Sequence, residues 1–196
     1  MGISDELDIM RITGGSLKGR RPAIVKGFAG RPTTDFGRES LFNLLRTRVD
    51  IEGLDVLDLF AGTGMVSLEF ASRGAASVLS IDGNAQAMRH LQRTFEGLGL
   101  ESCQAVRAEV GAYLSRVPQG FDLVFADPPY DLPDLQKLPQ MIVDARMLQP
   151  GDWFIVEHGE RTDLSTNPGF QESRKYGQVH FSLFRQPDAE PQPTTS

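Results

Sequence analysis

The chain has 196 residues, 40% of them hydrophobic and 23% charged, the balance of one ordinary globular domain with at most a small appendage. No apolar run reaches the roughly 18 residues of a membrane span, and the acidic opening MGISDELDIM lacks the apolar core of a secretory signal, so neither membrane insertion nor export is expected. Cys103 is the single cysteine, which excludes an internal disulfide or a cysteine metal cluster and fits a reducing cytoplasm, and the net charge of −6 is unevenly spread. Residues 10–48 hold nine Lys or Arg against two acids, while the remainder is strongly acidic. A basic arm on an acidic body is the asymmetry expected where one end meets phosphates; a merely solvated basic surface is the bland alternative.

The stretch MRITGGSLKGRRPAIV (10–25) reads as two short strands about a Gly-rich turn, a basic β-hairpin carrying Arg11, Lys18, Arg20 and Arg21. Residues 27–35, with Arg31, read as a loop. TTDFGRESLFNLLRTR then reads as a helix capped by Thr34 or Asp35, with Phe36, Leu41, Leu44 and Leu45 as its apolar stripe. Residues 1–50 together are expected to form an RNA-binding extension.

From residue 54 strands and helices alternate. LDVLDLF is a buried strand, TGMVSLEFASRGA a helix ending at Gly74, SVLSID a strand and NAQAMRHLQRTFEGLG a helix. SCQAVRA is the third strand, which makes Cys103 a small buried strand residue, and EVGAYLSRV a short helix. FDLVFAD is the fourth strand, LPDLQKLPQMIVDARML a helical region interrupted by Pro139, and DWFIVEH the fifth strand. FQESRKYGQVHFSLFRQ reads as two strands turning near Tyr176-Gly177, and the polar tail 187–196 as disordered. This alternation predicts an α/β domain over 51–186, a mostly parallel sheet with helices on both faces. Such sheets bind ligands outside the carboxyl ends of their strands.

At those ends the sequence places unusual residues. Asp58 lies inside the first strand, and Gly62 and Gly64 form a tight turn into the next helix. A lone G-x-G also fits NAD binding or a purely structural turn, but Ser67 replaces the third glycine of a dinucleotide fingerprint. Asp82 ends the second strand, about twenty residues past the glycines, where an acid can accept from two ribose hydroxyls. Glu109 follows the third strand; it could reach an adenine amino group or simply be the first acid of its helix. Asp127-Pro128-Pro129-Tyr130 ends the fourth strand. Two prolines cannot continue a ladder, and they hold Asp127 extended. The carboxylate and the Pro128 carbonyl can accept both N–H bonds of an exocyclic amine as it attacks a methyl donor, and Tyr130 can stack on a flipped base. No metal or nucleophilic side chain is needed, and His90, His158 and His180 lack ligand spacing.

DLFAGTG followed by DPPY, with RPTTDFGRESLFNLL upstream, resembles the class I S-adenosylmethionine-dependent methyltransferases that modify exocyclic amines. RITGGSLKGR, VLDLFAGTGMVSLEFASRGA, FIVEH and KYGQVHFSLF narrow this to a resemblance to the bacterial 16S ribosomal RNA guanine-N2 methyltransferases. The resemblance implies a Rossmann-like fold with a seven-stranded sheet, and S-adenosylmethionine on Asp58, Phe60, Gly62, Gly64 and Asp82 with Glu109 near the adenine. It further implies Asp127, Pro128, Pro129 and Tyr130 at the amine. It makes 16S ribosomal RNA, within an assembling small subunit, the partner, held by Arg11, Lys18, Arg20, Arg21 and Arg31. Asp82 stands where this family commonly has Glu. DPPY is shared with adenine-N6 enzymes and so fixes the chemistry, not the base. Adenine-N6 and protein-glutamine methyltransferases, an NAD-dependent oxidoreductase and a non-catalytic RNA-binding protein remain the alternatives.

Overall fold

Apolar runs of four to six residues, each closed by a polar or glycine-bearing turn, are too short for helices and become the buried strands of one sheet. The computed structural model describes residues 10–23, 35–116 and 120–188. Its strands are β1 (Asp55–Leu59), β2 (Ser77–Asp82), β3 (Cys103–Arg107), β4 (Leu123–Ala126), β5 (Trp153–His158), β6 (Phe170–Tyr176) and β7 (Val179–Arg185). Their order is β3-β2-β1-β4-β5-β7-β6. Strands β1 to β5 pair in parallel, and β7 runs antiparallel to both β5 and β6. The strand order reverses between β1 and β4, so the crevice rule points to their carboxyl ends.

Helices α1 (Asp35–Leu45), α2 (Met65–Ser72) and α3 (Ala85–Leu98) cover one face. Helices α4 (Val110–Leu114) and α5 (Leu138–Asp144) cover the other. The Asn84 side chain accepts from the N–H groups of Gln86 and Ala87 and so starts α3, and Gly99 ends it at φ 70°. Pro139 sits in the first turn of α5 and opens that helix instead of interrupting it, because its missing N–H would have had no partner there.

The basic amino-terminal segment departs from the predicted hairpin. Residues 10–23 contain no strand; they turn back on themselves through Ile12 N–H to the Arg20 carbonyl (2.9 Å) and Gly19 N–H to the Ile12 carbonyl (2.8 Å). The cross-strand partners a hairpin needs are replaced by α2. Thr13 N–H donates to Glu69 (2.6 Å), Ser16 N–H to the Ser72 carbonyl (2.7 Å) and Leu17 N–H to the Ser72 hydroxyl (2.9 Å). Met10 and Ile12 are buried in the same core as Leu41, Phe42 and Phe70. Residues 24–25 of the expected hairpin, most of the 27–35 loop, the Thr34 cap and residues 189–196 of the tail lie outside the described residues.

A buried ion network fastens this segment. Arg38 and Glu69 are both fully buried, 3.7 Å apart. Arg38 also meets Asp35 at 2.5 Å and donates to the Arg11 carbonyl at 2.9 Å, while Arg73 meets Glu69 at 3.0 Å. Removing one member of such a network leaves an uncompensated buried charge. Glu69→Gln should therefore lower the unfolding free energy in urea by about 3–5 kcal/mol. An unchanged denaturation midpoint would show that the network carries no stability.

Candidate active site

The turn after β1 is bent by backbone conformations that few residues adopt. Phe60 has φ 60°, Gly62 φ 52° and Gly64 φ 76°. A left-handed phenylalanine is an unfavourable conformation that must be held by its surroundings, and such residues cluster at ligand sites. At Gly64 a Cβ would lie 2.2 Å from Leu91 Cδ1, so only glycine lets α3 approach the turn. Asp82 closes the turn from the next strand: Oδ2 accepts from Gly62 N–H (3.0 Å) and Oδ1 from Asn84 N–H (2.7 Å). Glu109 precedes α4 but makes no capping bond; its side chain lies against Gly83, where a Cβ would be 2.7 Å from Oε1.

On the other side of the switch point the pairing of β4 with β5 ends at Ala126 opposite Val156. The next residues of each strand are Asp127 and Glu157. Parallel register turns paired side chains to the same face, so the two acids stand beside one another. Asp127 is half-buried, with its N–H on the Leu59 carbonyl at 3.2 Å. The Pro129 carbonyl accepts from Leu132 N–H (2.9 Å), which leaves the Pro128 carbonyl outside the turn's own bonding. Tyr130 stands 43% exposed. Its hydroxyl donates to Glu157 Oε1 at 3.2 Å, and its ring lies on Gly159, where a Cβ would come within 3.2 Å.

Phe60, Gly62, Asp82, Glu109, Glu157 and the turn from Asp127 to Tyr130 line one cleft of about 850 Å³ at the carboxyl edge of the sheet. Its floor holds two buried acids, Asp58 and Glu157. Asp58 is buried; Ser67 donates its hydroxyl to Oδ2 and lies 2.7 Å from the Ser80 hydroxyl, while Oδ1 is buried with no hydrogen-bond partner among the described residues. Burial pushes the Asp58 carboxyl up to about 7; the Ser67 bond opposes this, and Asp127 and Asp82 add to it. Glu157 is likewise raised well above its usual range, first by burial and then by Asp127, with the Tyr130 bond opposing. Its Oε2 is buried with no hydrogen-bond partner among the described residues. A cleft with two orphaned carboxylate oxygens is suited to ligands that bring positive charge or N–H donors.

The family described as Conserved hypothetical protein 95 matches residues 10–185. The chain belongs to this family. It is 31% identical to YlbH of Bacillus subtilis over 90% of this chain and 98% of that one. It is 29% identical to ribosomal RNA small subunit methyltransferase D of Escherichia coli, over 90% of this chain and 89% of that one. The solved structure of yhhF from Escherichia coli superimposes with a TM-score of 0.81 at 29% identity, covering 92% of this chain and 99% of that one. A 16S rRNA N2 G1207 methyltransferase from T. thermophilus, solved with AdoMet and guanosine, shares the fold at TM-score 0.65 and 22% identity, over 85% of this chain and 46% of that one. The chain thus has the Rossmann-like methyltransferase fold that its motifs resemble.

The structure brings Asp58, Phe60, Gly62, Asp82, Glu109, Asp127, Pro128, Pro129 and Tyr130 to the cleft, with Gly64 at the base of its glycine turn. Lys18, Arg20 and Arg21 are exposed but do not line it. Arg11 pairs with Asp35 (3.4 Å) and Arg48 with Glu172 (2.5 Å), so part of the basic segment serves the fold; Arg31 lies outside the described residues. His90 meets the Ala23 carbonyl at 2.6 Å, which lays the chain beyond Arg21 along α3. There Arg89, Arg93 and Arg107 border a shallower groove of about 430 Å³. Among the cleft residues that sequence reasoning missed, Phe36 and Glu157 stand out. Phe36, expected in the apolar stripe of α1, is 62% exposed and faces the cleft. Glu157 is inconspicuous inside an apolar strand. Among the described residues no acid, His or Cys cluster could hold a metal, and no helix is long and apolar enough to cross a membrane.

The Asp58 titration has a measurable consequence. Its carboxyl titrates near 3.8 ordinarily and near 7 in the fold, so between those values the folded state holds the extra proton. Stability must then fall as pH rises across that window, by at most about 1.4 kcal/mol per pH unit. Asp58→Asn should remove this contribution and flatten unfolding free energy measured from pH 4 to 8. An unaltered slope would place the proton on another group.

Proposed function

We propose that the protein transfers the methyl group of S-adenosylmethionine to the exocyclic N2 amine of a guanine in small-subunit ribosomal RNA. The observation that carries this reading is the Asp127-Pro128-Pro129-Tyr130 turn opening into the same cleft as the Gly62-Gly64 turn and Asp82. The name of the Escherichia coli relative supports ribosomal RNA as the substrate, and the neighbour solved with AdoMet and guanosine supports the cofactor and the base.

The residues present fit that cofactor. S-adenosylmethionine supplies a methyl group on a sulfonium leaving group, beside an α-ammonium that also carries positive charge. Asp58, with an orphaned buried oxygen under the glycine turn, offers an acceptor there, and a bound cation would favour its ionised form. Asp82 is already oriented by two backbone N–H groups, and a carboxylate keeps lone pairs for ribose hydroxyls beyond those two bonds. Glu109, packed on Gly83 at the same end, is placed for the adenine side. On the opposite side Asp127 and the Pro128 carbonyl accept from the amine as its nitrogen becomes tetrahedral and positive, and Tyr130 supports the flipped base. The two prolines keep those acceptors from collapsing into secondary structure. Lys18, Arg20 and Arg21 hold RNA phosphates at a distance from the reaction, in the cytoplasm where assembling subunits are found. On this reading residues 1–50 are the RNA-binding extension of a methyltransferase domain over 51–186.

Asp127→Asn should keep the shape of the turn and place an amide donor where an acceptor is required. Single-turnover methyl transfer to small-subunit RNA should slow by about 10²–10³, or about 2.7–4 kcal/mol, with S-adenosylmethionine affinity unchanged. A wild-type rate would make the turn structural. For the RNA surface, deleting the arm is a poor test because it strips Ile12 from the core and Thr13 from Glu69. Replacing Lys18, Arg20 and Arg21 together by Ala should instead leave folding intact. The slope of log affinity against log salt should become shallower by about 0.7–0.9 for each phosphate no longer neutralised. An identical slope would make those cations a solvated surface.

A further inference from the structure

We propose that Glu157 is a specificity-determining residue: it accepts the N1–H of the target guanine while Asp127 accepts from its N2 amine. This rests on the functional reading above and deepens it. Guanine differs from the other amine-bearing bases in what stands next to the amine. Its Watson–Crick edge presents N1–H and N2–H₂, two donors side by side, whereas adenine beside N6 and cytosine beside N4 present a bare ring nitrogen that accepts. Enzymes that extrude a base read it along this edge. A site built to discriminate guanine therefore needs two adjacent acceptors, and a lone carboxylate at the amine cannot supply them.

The sheet provides the pair. Ala126 pairs with Val156, so Asp127 and Glu157 follow in register at the ends of neighbouring parallel strands and on one face. Both line the cleft. Glu157 is 3% exposed, and the partners of its two oxygens differ. Oε1 accepts from the Tyr130 hydroxyl, while Oε2 is buried with no hydrogen-bond partner among the described residues. Burying a carboxylate oxygen without a donor is unfavourable, and a structural acid would be expected to carry Lys, Arg or backbone N–H groups. Glu157 has none of these among the described residues. The guanine N1–H is a donor of the required kind for the buried Oε2. The Tyr130 bond fixes the carboxylate to the ring on which the base rests. Stacking and edge reading are thus set by one side-chain pair.

A base analogue in the RNA tests this. 2-Aminopurine keeps the reacting amine and lacks the N1–H together with O6, so the Glu157→Gln comparison is what isolates the N1 contact. Small-subunit RNA carrying guanosine or 2-aminopurine at the target position would be offered to the full-length protein, and kcat/KM compared. The wild type should prefer guanosine by at least about tenfold, because a site that hydrogen-bonds a donor rejects the analogue lacking it. Glu157→Gln should narrow that preference by at least about fivefold, since its amide can turn a donor to the bare N1. Equal use of both RNAs by the wild type, or a Glu157→Gln variant that loses the same factor on both, would overturn the proposal and leave the functional reading standing. No transfer to guanosine RNA by the wild type would overturn the functional reading itself.

Discussion

Four carboxylates converge on the carboxyl ends of β1, β2, β4 and β5, and the strand order gives them no way apart. Asp58, Asp82, Asp127 and Glu157 border one cleft because their strands are neighbours and because each acid stands at or near the strand's end. Like charges in a poorly hydrated site disfavour simultaneous ionisation. The protein answers this on the β2 side, where Asp82 accepts from two backbone N–H groups. It answers only half of it at Asp58 and Glu157, each of which has one oxygen bonded and one buried without a hydrogen-bond partner among the described residues. Incomplete satisfaction of a buried acid is unfavourable for folding, and it is also what a cation or an N–H edge would complete. The two orphaned oxygens fall on opposite sides of the switch point, one under the glycine turn and one beside Asp127. The division matches a cleft that takes a charged donor on one side and an amine on the other.

Helices α1 and α2, whose first turns border the same cleft, bury charges of opposite sign instead. Arg38, fully buried, lies between Asp35 and Glu69, and Glu69 in turn accepts from Thr13 N–H and Arg73. A buried ion pair adds little net stability over an apolar replacement of similar shape, but it is intolerant of losing a member. Its effect here is positional. It fixes where residues 10–17 leave the body, and so where Lys18, Arg20 and Arg21 are displayed. The basic excess that the sequence shows between residues 10 and 48 is therefore two things at once: Arg11, Arg38 and Arg48 are structural, and the exposed cations that follow Leu17 are available to a partner.

How much of this was legible depended on whether a residue's signal was local. The strands and the site acids that close them were readable because an apolar run ending in Asp82 or Asp127 announces both burial and its limit. Ser67 looks like a missing glycine of a dinucleotide turn; in the fold its hydroxyl is what holds Asp58, a partnership nine residues long in sequence and invisible to motif spacing. Phe36 departs from the expected stripe because it lies five residues before Leu41, about 140° around a helix, and so cannot share the buried face. The hairpin failed for a different reason. Gly14, Gly15 and Gly19 did mark turns, but the donors between them found acceptors on α2, and no periodicity within the segment reports a partner more than fifty residues away. Glu157 was hidden by its company: WFIVEH is buried throughout, and an acid in such a run is unreadable until the register against β4 is known.

That register also makes the amine side of the cleft a single unit. Tyr130 touches Glu157 through its hydroxyl and Gly159 through its ring, and Glu157 feels Asp127 electrostatically. Gly159 is small where a side chain would displace the tyrosine, and the prolines between Asp127 and Tyr130 fix their separation. A change at any one of these residues therefore alters the charge state or position of the others, and the effects of changing two will not add.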